Sequence, residues 1–88
     1  MQPVNRNHFQ QWLKALRGRH GLSQEQLAHR MRCSANYIWR LEHGKRYPSK
    51  EWLQLLGHVL QLEGEDESTL ELFIQMTDML SCQWNKGD

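Results

Sequence analysis

Several features that define other classes of protein are scarce or missing in these 88 residues. No apolar run approaches the roughly 20 residues that a membrane-spanning helix needs, and the first five residues do not begin a signal peptide. The two cysteines, Cys33 and Cys82, are too few for a disulfide scaffold. We therefore expect a small cytoplasmic protein with a single core and reduced thiols, and no membrane partner.

Motifs for catalysis and for cofactor binding are also missing. The sequence has no Gly-rich phosphate loop, metal-hydrolase motif or nucleophile elbow. His29 and Cys33 have the i, i+4 spacing that can hold a metal, but a structural zinc needs four ligands and no second pair accompanies them. We interpret them as a surface histidine and a buried turn cysteine. The sequence predicts no enzyme activity, no cofactor and no metal site.

Helical periodicity is what the sequence does contain, and we find no strand signal and no internal repeat. Apolar residues recur three and four positions apart in five segments, and 39% of the residues are hydrophobic, which argues against disorder. The spacing predicts helices over about 7–19, from Ser23 to Arg32, from Ser34 to Gly44, from Ser49 to about Leu60, and over about 66–81. The fold class is therefore all-α.

The second and third of these helices form a recognisable pair. Ser23 is an N-cap with Gln26 three residues later, which is a capping box, and Ser34 is a second N-cap. Gly44 ends the third helix, and the small Ala28 permits the close approach that a steep crossing requires. This pattern is a helix-turn-helix, whose second helix usually enters the DNA major groove.

The pair resembles the Cro and lambda-repressor type of helix-turn-helix, the XRE family of bacterial and phage regulators. The matching motifs are Ser-Gln-Glu-Gln-Leu-Ala at residues 23–28, Tyr-Ile-Trp-Arg-Leu-Glu-His-Gly at residues 37–44, and a following helix with Trp-Leu-Gln-Leu-Leu at residues 52–56. The resemblance implies a compact, lambda-repressor-like fold of four to five helices. The family most often has Gly where this chain has Arg32, so a positive φ is expected there, at a cost on the order of 1 kcal/mol.

Charge is divided between the two halves of the chain. Residues 1–50 carry ten basic and two acidic residues, whereas residues 51–88 carry one basic and eight acidic residues. The net charge of +1 is therefore the sum of +8 for residues 1–50 and −7 for residues 51–88. Such a division is expected of a protein with a DNA-binding face and a remote face that avoids DNA.

Four residues of the third helix are the predicted base contacts. Asn36 can hydrogen-bond adenine at N6 and N7, and Arg40 can span guanine O6 and N7. Ala35 can touch a thymine methyl group, and Tyr37 can reach a phosphate or a base. The alternative is that these are ordinary solvent-facing side chains.

Phosphate contacts are predicted for residues at helix starts and in the loop after the third helix. Gln24 and Ser34 begin helices, where N–H groups can hold a phosphate oxygen, although capping alone explains Ser34. Lys45 and Arg46 follow the third helix and are natural phosphate ligands.

The resemblance also implies an ion pair between Arg17 and Glu42, which joins the first helix to the end of the third. Trp39 has no assigned role. Packing on a loop or on the fifth helix, subunit contact and stacking along the DNA backbone all remain open for it.

The predicted organisation is a helix-turn-helix domain at residues 1–62, an additional acidic helix at 63–81 and a tail at 82–88. The fifth helix has an apolar face that either folds back on the chain or forms a dimer or partner surface. That face consists of Leu70, Phe73, Ile74, Met76 and Leu80.

These features together predict a sequence-specific transcriptional regulator that binds double-stranded DNA. We expect a repressor that binds a palindromic operator as a homodimer. The alternative is an interaction protein, such as an antitoxin, that masks a protein partner with its C-terminal helix.

Overall fold

The structure is a computed structural model that describes the backbone of residues 6–84 and the side chains of residues 8–77. That part of the chain is all-α, as predicted, with no strand. The helices are α1 (Arg6–Arg19), α2 (Gln24–Met31), α3 (Ala35–Glu42), α4 (Lys50–Val59) and α5 (Glu65–Trp84). None of these helices combines the length and the apolar character that crossing a membrane requires.

Serine N-caps fix where three of the helices begin. The Oγ atoms of Ser23, Ser34 and Ser49 each accept a hydrogen bond from the backbone N–H three residues later, at 3.0, 3.0 and 3.1 Å. At α2 the bond is reciprocated, because the Ser23 N–H donates to Gln26 Oε1 at 2.8 Å. The predicted capping box is therefore confirmed, and the start of α3 is set by its own local chemistry.

The ends of α1 to α4 share one backbone conformation and one hydrogen-bond pattern. Gly21, Arg32, Gly44 and Gln61 each have a positive φ, between 52° and 73°. The N–H of the residue after each one donates to the carbonyl five positions back, at 2.8 to 3.1 Å. This Schellman-type arrangement satisfies carbonyls at the helix end. The left-handed turn expected at Arg32 is thus present, with φ 57° and ψ 44°.

The chain divides into two compact units, Met1–Tyr47 and Pro48–Asp88. In the first unit α3 packs against both α1 and α2. Phe9 of α1 contacts the ring of the buried Tyr47, with ring centroids 5.4 Å apart. The other large buried apolar side chains of α1, α2 and α3 are Leu13, Leu16, Leu27, Met31, Ile38 and Leu41.

In the second unit α4 packs against α5. A Cβ atom at Gly57 would lie 2.5 Å from Leu70 Cδ2, so the missing side chain lets α5 approach α4 closely. Leu53, Leu56 and Leu60 are buried at or just after α4. The second compact unit is therefore built from α4 and α5 packed against each other.

The apolar face of α5 is largely packed within the chain. Leu70, Phe73 and Ile74 are buried and Met76 is half-buried, whereas the Leu80 side chain lies outside the described residues. Intramolecular packing, one of the two arrangements left open by the sequence, is thus adopted by the three buried side chains. A dimer surface cannot use them while they stay packed.

The C-terminal boundary of α5 differs from the prediction. The helix runs to Trp84 rather than ending near Ser81, so residues 82–84 of the predicted tail are helical. No Gly or Pro occurs between Glu65 and Trp84 to stop the helix earlier. The rest of the predicted tail, residues 85–88, lies outside the described residues.

Replacement of Arg32 by Gly should stabilise the protein. Its left-handed backbone is strained for a residue with a Cβ atom, and its side chain is exposed. After subtraction of the larger chain entropy of unfolded Gly, we expect a gain of about 0.5–1 kcal/mol in the free energy of unfolding. Urea unfolding followed by circular dichroism measures it.

The matched comparison is Gly21→Ala, which introduces the same strain at φ 66° and should cost about 1 kcal/mol. A loss of stability in Arg32→Gly would contradict this account of the turn.

Candidate nucleic-acid interface

The recognition helix of the predicted motif, α3, has two distinct faces. Three residues, Arg32–Ser34, separate it from α2. Its inward face contains the buried side chains Ile38, Leu41 and Glu42. With a turn of 100° per residue, the outward face contains the exposed residues Asn36, Trp39 and Arg40, and the exposed C-cap residue His43 continues it.

A buried carboxylate at the end of α3 connects this helix to the rest of the first unit. Glu42 Oε2 accepts a bond from Arg17 Nε at 2.6 Å, and Oε1 accepts from Arg17 Nη2 at 3.1 Å. Oε1 also accepts from Gln24 Nε2 at 3.1 Å. Arg17 Nη1 donates to the Leu22 carbonyl at 3.0 Å. One cluster thus joins α1, the α1–α2 loop, α2 and α3.

Electrostatics make this cluster a constraint on the position of α3. The Glu42 side chain is only 2% exposed and lies in the last turn of its helix, where the macrodipole disfavours a negative charge. The two-point ion pair with Arg17 compensates for burial and for the dipole. The hydrogen bonds that Arg17 donates to Glu42 raise the pKa of the Arg17 guanidinium, so the cation persists. The ion pair implied by the resemblance is present.

A comparison with known families agrees with this geometry. The sequence profile of the helix-turn-helix domain matches residues 11–70, which is more than half of the chain. The chain belongs to the helix-turn-helix domain family. It is of the XRE and Cro-like type, and the domain is a DNA-binding unit. The chain has no significant match to a curated protein or to a solved structure.

The predicted base contacts occupy two kinds of position on this helix-turn-helix. Asn36 and Arg40 are exposed on the outward face, whereas Ala35 and Tyr37 are half-buried beside it. Burial raises the pKa of the Tyr37 hydroxyl, the nearby Cys33 raises it further, and Arg46 opposes the shift. Tyr37 therefore stays a neutral phenol. Asn36 and Arg40 have the freest access to a base edge.

The residues predicted to contact phosphates differ from one another in their exposure. Ser34, Lys45 and Arg46 are exposed, and Ser34 also caps α3. Gln24 is half-buried and donates one amide N–H to Glu42, so the predicted phosphate contact would have to use its second N–H. Between residues 35 and 46 the only carboxylate is the buried Glu42. The exposed surface of this segment is therefore uniformly neutral or positive.

Two outward residues, Trp39 of α3 and its C-cap His43, were not among the predicted contacts. Trp39 is 41% exposed, and its ring stacks on His43 with centroids 4.1 Å apart and planes at 18°. Their spacing from Asn36, at i+3 and i+7, is the signal that places all three on one helix face. Trp39 follows the inward Ile38 by one residue, so its side chain is turned by 100° from that of Ile38 and lies at the edge of the outward face.

His29 and Cys33 do not assemble a metal centre within the part of the chain that the structure describes. His29 is exposed and Cys33 is half-buried in the turn. No group of three His, Cys, Asp or Glu side chains among the described residues is arranged to hold a metal ion.

Removal of the buried carboxylate should destabilise the helix-turn-helix unit strongly. We expect Glu42→Ala to lower the free energy of unfolding by about 2–3 kcal/mol, because Arg17 loses its buried counterion and Gln24 its acceptor. Denaturant unfolding measures this loss. The control is Lys14→Ala, an exposed charge on α1 that should change stability by less than about 0.5 kcal/mol. Equal effects of the two substitutions would contradict the role given to Glu42.

Proposed function

We propose that this protein is a sequence-specific transcriptional regulator, most simply a repressor, that binds a palindromic operator in double-stranded DNA as a homodimer. The observation that carries the proposal is the exposed face of α3, where Asn36 and Arg40 stand side by side on a helix anchored from behind by Glu42. Asn and Arg are the side chains that hydrogen-bond adenine and guanine in the major groove.

The charge pattern supports DNA as the partner. The exposed cations Arg40, Lys45 and Arg46 lie on or just after α3, and no exposed carboxylate occurs among residues 35–46. Neutralised phosphates release counterions, and this release favours binding to any duplex. The acidic residues are concentrated after residue 50, so they do not interrupt this segment.

The length of α3 supports a dimer. Eight residues extend about 12 Å, which covers only about four base pairs. A site of four base pairs recurs about once in 256 positions, far too often for selection among the roughly 10⁶ or more sites of a genome. Two copies that read half-sites about one helical turn apart, roughly 34 Å, specify about twice as many base pairs as one copy. Occupancy of such a site near a promoter would repress transcription.

Selection from a random duplex library, together with sedimentation of the purified complex, tests the proposal. We expect an inverted repeat bound by two copies of the chain. The absence of preference for any duplex over random competitor at moderate salt would overturn it.

Two substitutions should separate base reading from phosphate binding. Arg40→Ala should relax the selected consensus at one position in each half-site and cost about 1–3 kcal/mol there. Lys45→Ala should weaken binding to all duplexes alike and reduce the slope of log K against log salt by about 1 for each subunit. Fluorescence anisotropy over a salt series measures both. An unchanged consensus in Arg40→Ala would contradict the assignment of Arg40.

A second candidate function, binding of a protein partner through α5, is favoured by one observation. Leu72 is 46% exposed on α5, in a segment whose first turn carries Glu65, Asp66 and Glu67. An exposed apolar residue among acidic side chains suits a basic partner with an apolar anchor point.

A point substitution tests this second function better than deletion, because deletion of residues 65–88 would remove the buried Leu70, Phe73 and Ile74. We expect Leu72→Glu to keep operator binding. If the partner function is real, the same substitution abolishes retention of a protein that the wild type retains, and Leu55→Glu on α4 does not. Identical retention by wild type and Leu72→Glu would reject the second function.

A further inference from the structure

We propose that Trp39 is a base-reading residue of this protein and that its indole contacts the C5 methyl group of a thymine in the major groove. The inference rests on the proposed function, since it requires that α3 enter DNA. It adds to the polar contacts of Asn36 and Arg40 an apolar contact that the resemblance does not assign.

The helix geometry places the indole among the polar readers. Successive residues of a helix turn by 100°, so Asn36, Trp39, Arg40 and His43 fall within an arc of about 100°. This arc is opposite the one that contains the buried Ile38, Leu41 and Glu42. Trp39 lies about 60° around the helix axis from Asn36, so a surface that receives Asn36 and Arg40 lies within reach of its indole.

The ring pair is held in place before any partner arrives. His43 Nδ1 lies 2.8 Å from the Trp39 carbonyl oxygen, which can only accept, so Nδ1 carries the proton. The His43 backbone N–H donates to the same carbonyl at 3.0 Å. With the imidazole fixed by these bonds, its stack at 4.1 Å covers one face of the indole and restricts its rotation. His43 is thus a positioning residue for Trp39, and the restriction lowers the entropy lost on binding.

The chemistry of the major groove then indicates which DNA group the Trp39 indole contacts. Trp39 is an apolar ring that is 41% exposed on a surface whose other outward residues are polar or cationic. The positive charge of Arg40, Lys45 and Arg46 makes this surface complementary to DNA rather than to an apolar protein face. Among the groups on the major-groove edges, the thymine methyl is the apolar one.

Replacement of thymine by deoxyuridine at single positions of the selected operator tests the contact, because it removes only the methyl group. With the wild type we expect one position in each half-site at which the substitution weakens binding about fourfold, the value for one buried methyl group. In Trp39→Ala the same position should show no further loss, and the affinity for the unmodified operator should fall at least about tenfold.

Three variants act as controls. Ala35→Gly should leave the thymine coupling of Trp39 intact, because Ala35 lies one turn earlier on α3. Leu55→Ala removes an apolar side chain of similar exposure on α4 and should leave affinity unchanged. His43→Ala should weaken the thymine coupling of Trp39, and His43→Phe, which keeps a stacking ring, should restore it.

Three results would overturn the inference. One is wild-type affinity and a wild-type deoxyuridine profile in Trp39→Ala. Another is a loss of affinity without coupling at any thymine, which would place the indole on the sugar–phosphate backbone. The third is a change in sedimentation of the free protein on Trp39→Ala, which would assign the ring to subunit contact. A wild type that selects no sequence at all would instead reject the proposed function itself.

Discussion

The buried carboxylate of Glu42 is the constraint on which the arrangement of the first unit depends. A charge that is 2% exposed at a helix C-terminus is unfavourable unless it is fully compensated, and here Arg17 and Gln24 supply the donors. Because those donors come from α1 and α2, compensation is complete only in one arrangement of the three helices. The interaction therefore specifies position, whereas the surrounding apolar side chains supply most of the free energy of burial.

This anchoring has a direct consequence for the opposite side of α3. A helix of eight residues is marginal alone, so its order comes from packing. With Ile38, Leu41 and Glu42 buried, the outward arc of α3 forms a strip that faces away from the core. The strip combines amide, guanidinium and aromatic groups, and the segment that follows it is basic. A surface of this kind can read a base edge because its helix does not have to be ordered by the ligand.

The sequence predicted those parts of the structure that depend on neighbouring residues. The caps at Ser23 and Ser34 and the left-handed Arg32 follow from local backbone chemistry, and all three were foreseen. Features that depend on packing between residues far apart in the sequence were harder to predict. The bond from Gln24 to Glu42 spans 18 positions, and the packing of α4 on α5 depends on Gly57 opposite Leu70.

The measurement that most directly tests the central claim is methylation interference on the selected operator. Dimethyl sulfate methylates guanine at N7 in the major groove and adenine at N3 in the minor groove. If the outward face of α3 enters the major groove, methylation of guanine N7 within each half-site should abolish binding, and methylation of adenine N3 there should not. Interference confined to adenine N3, or no interference at all, would contradict the account.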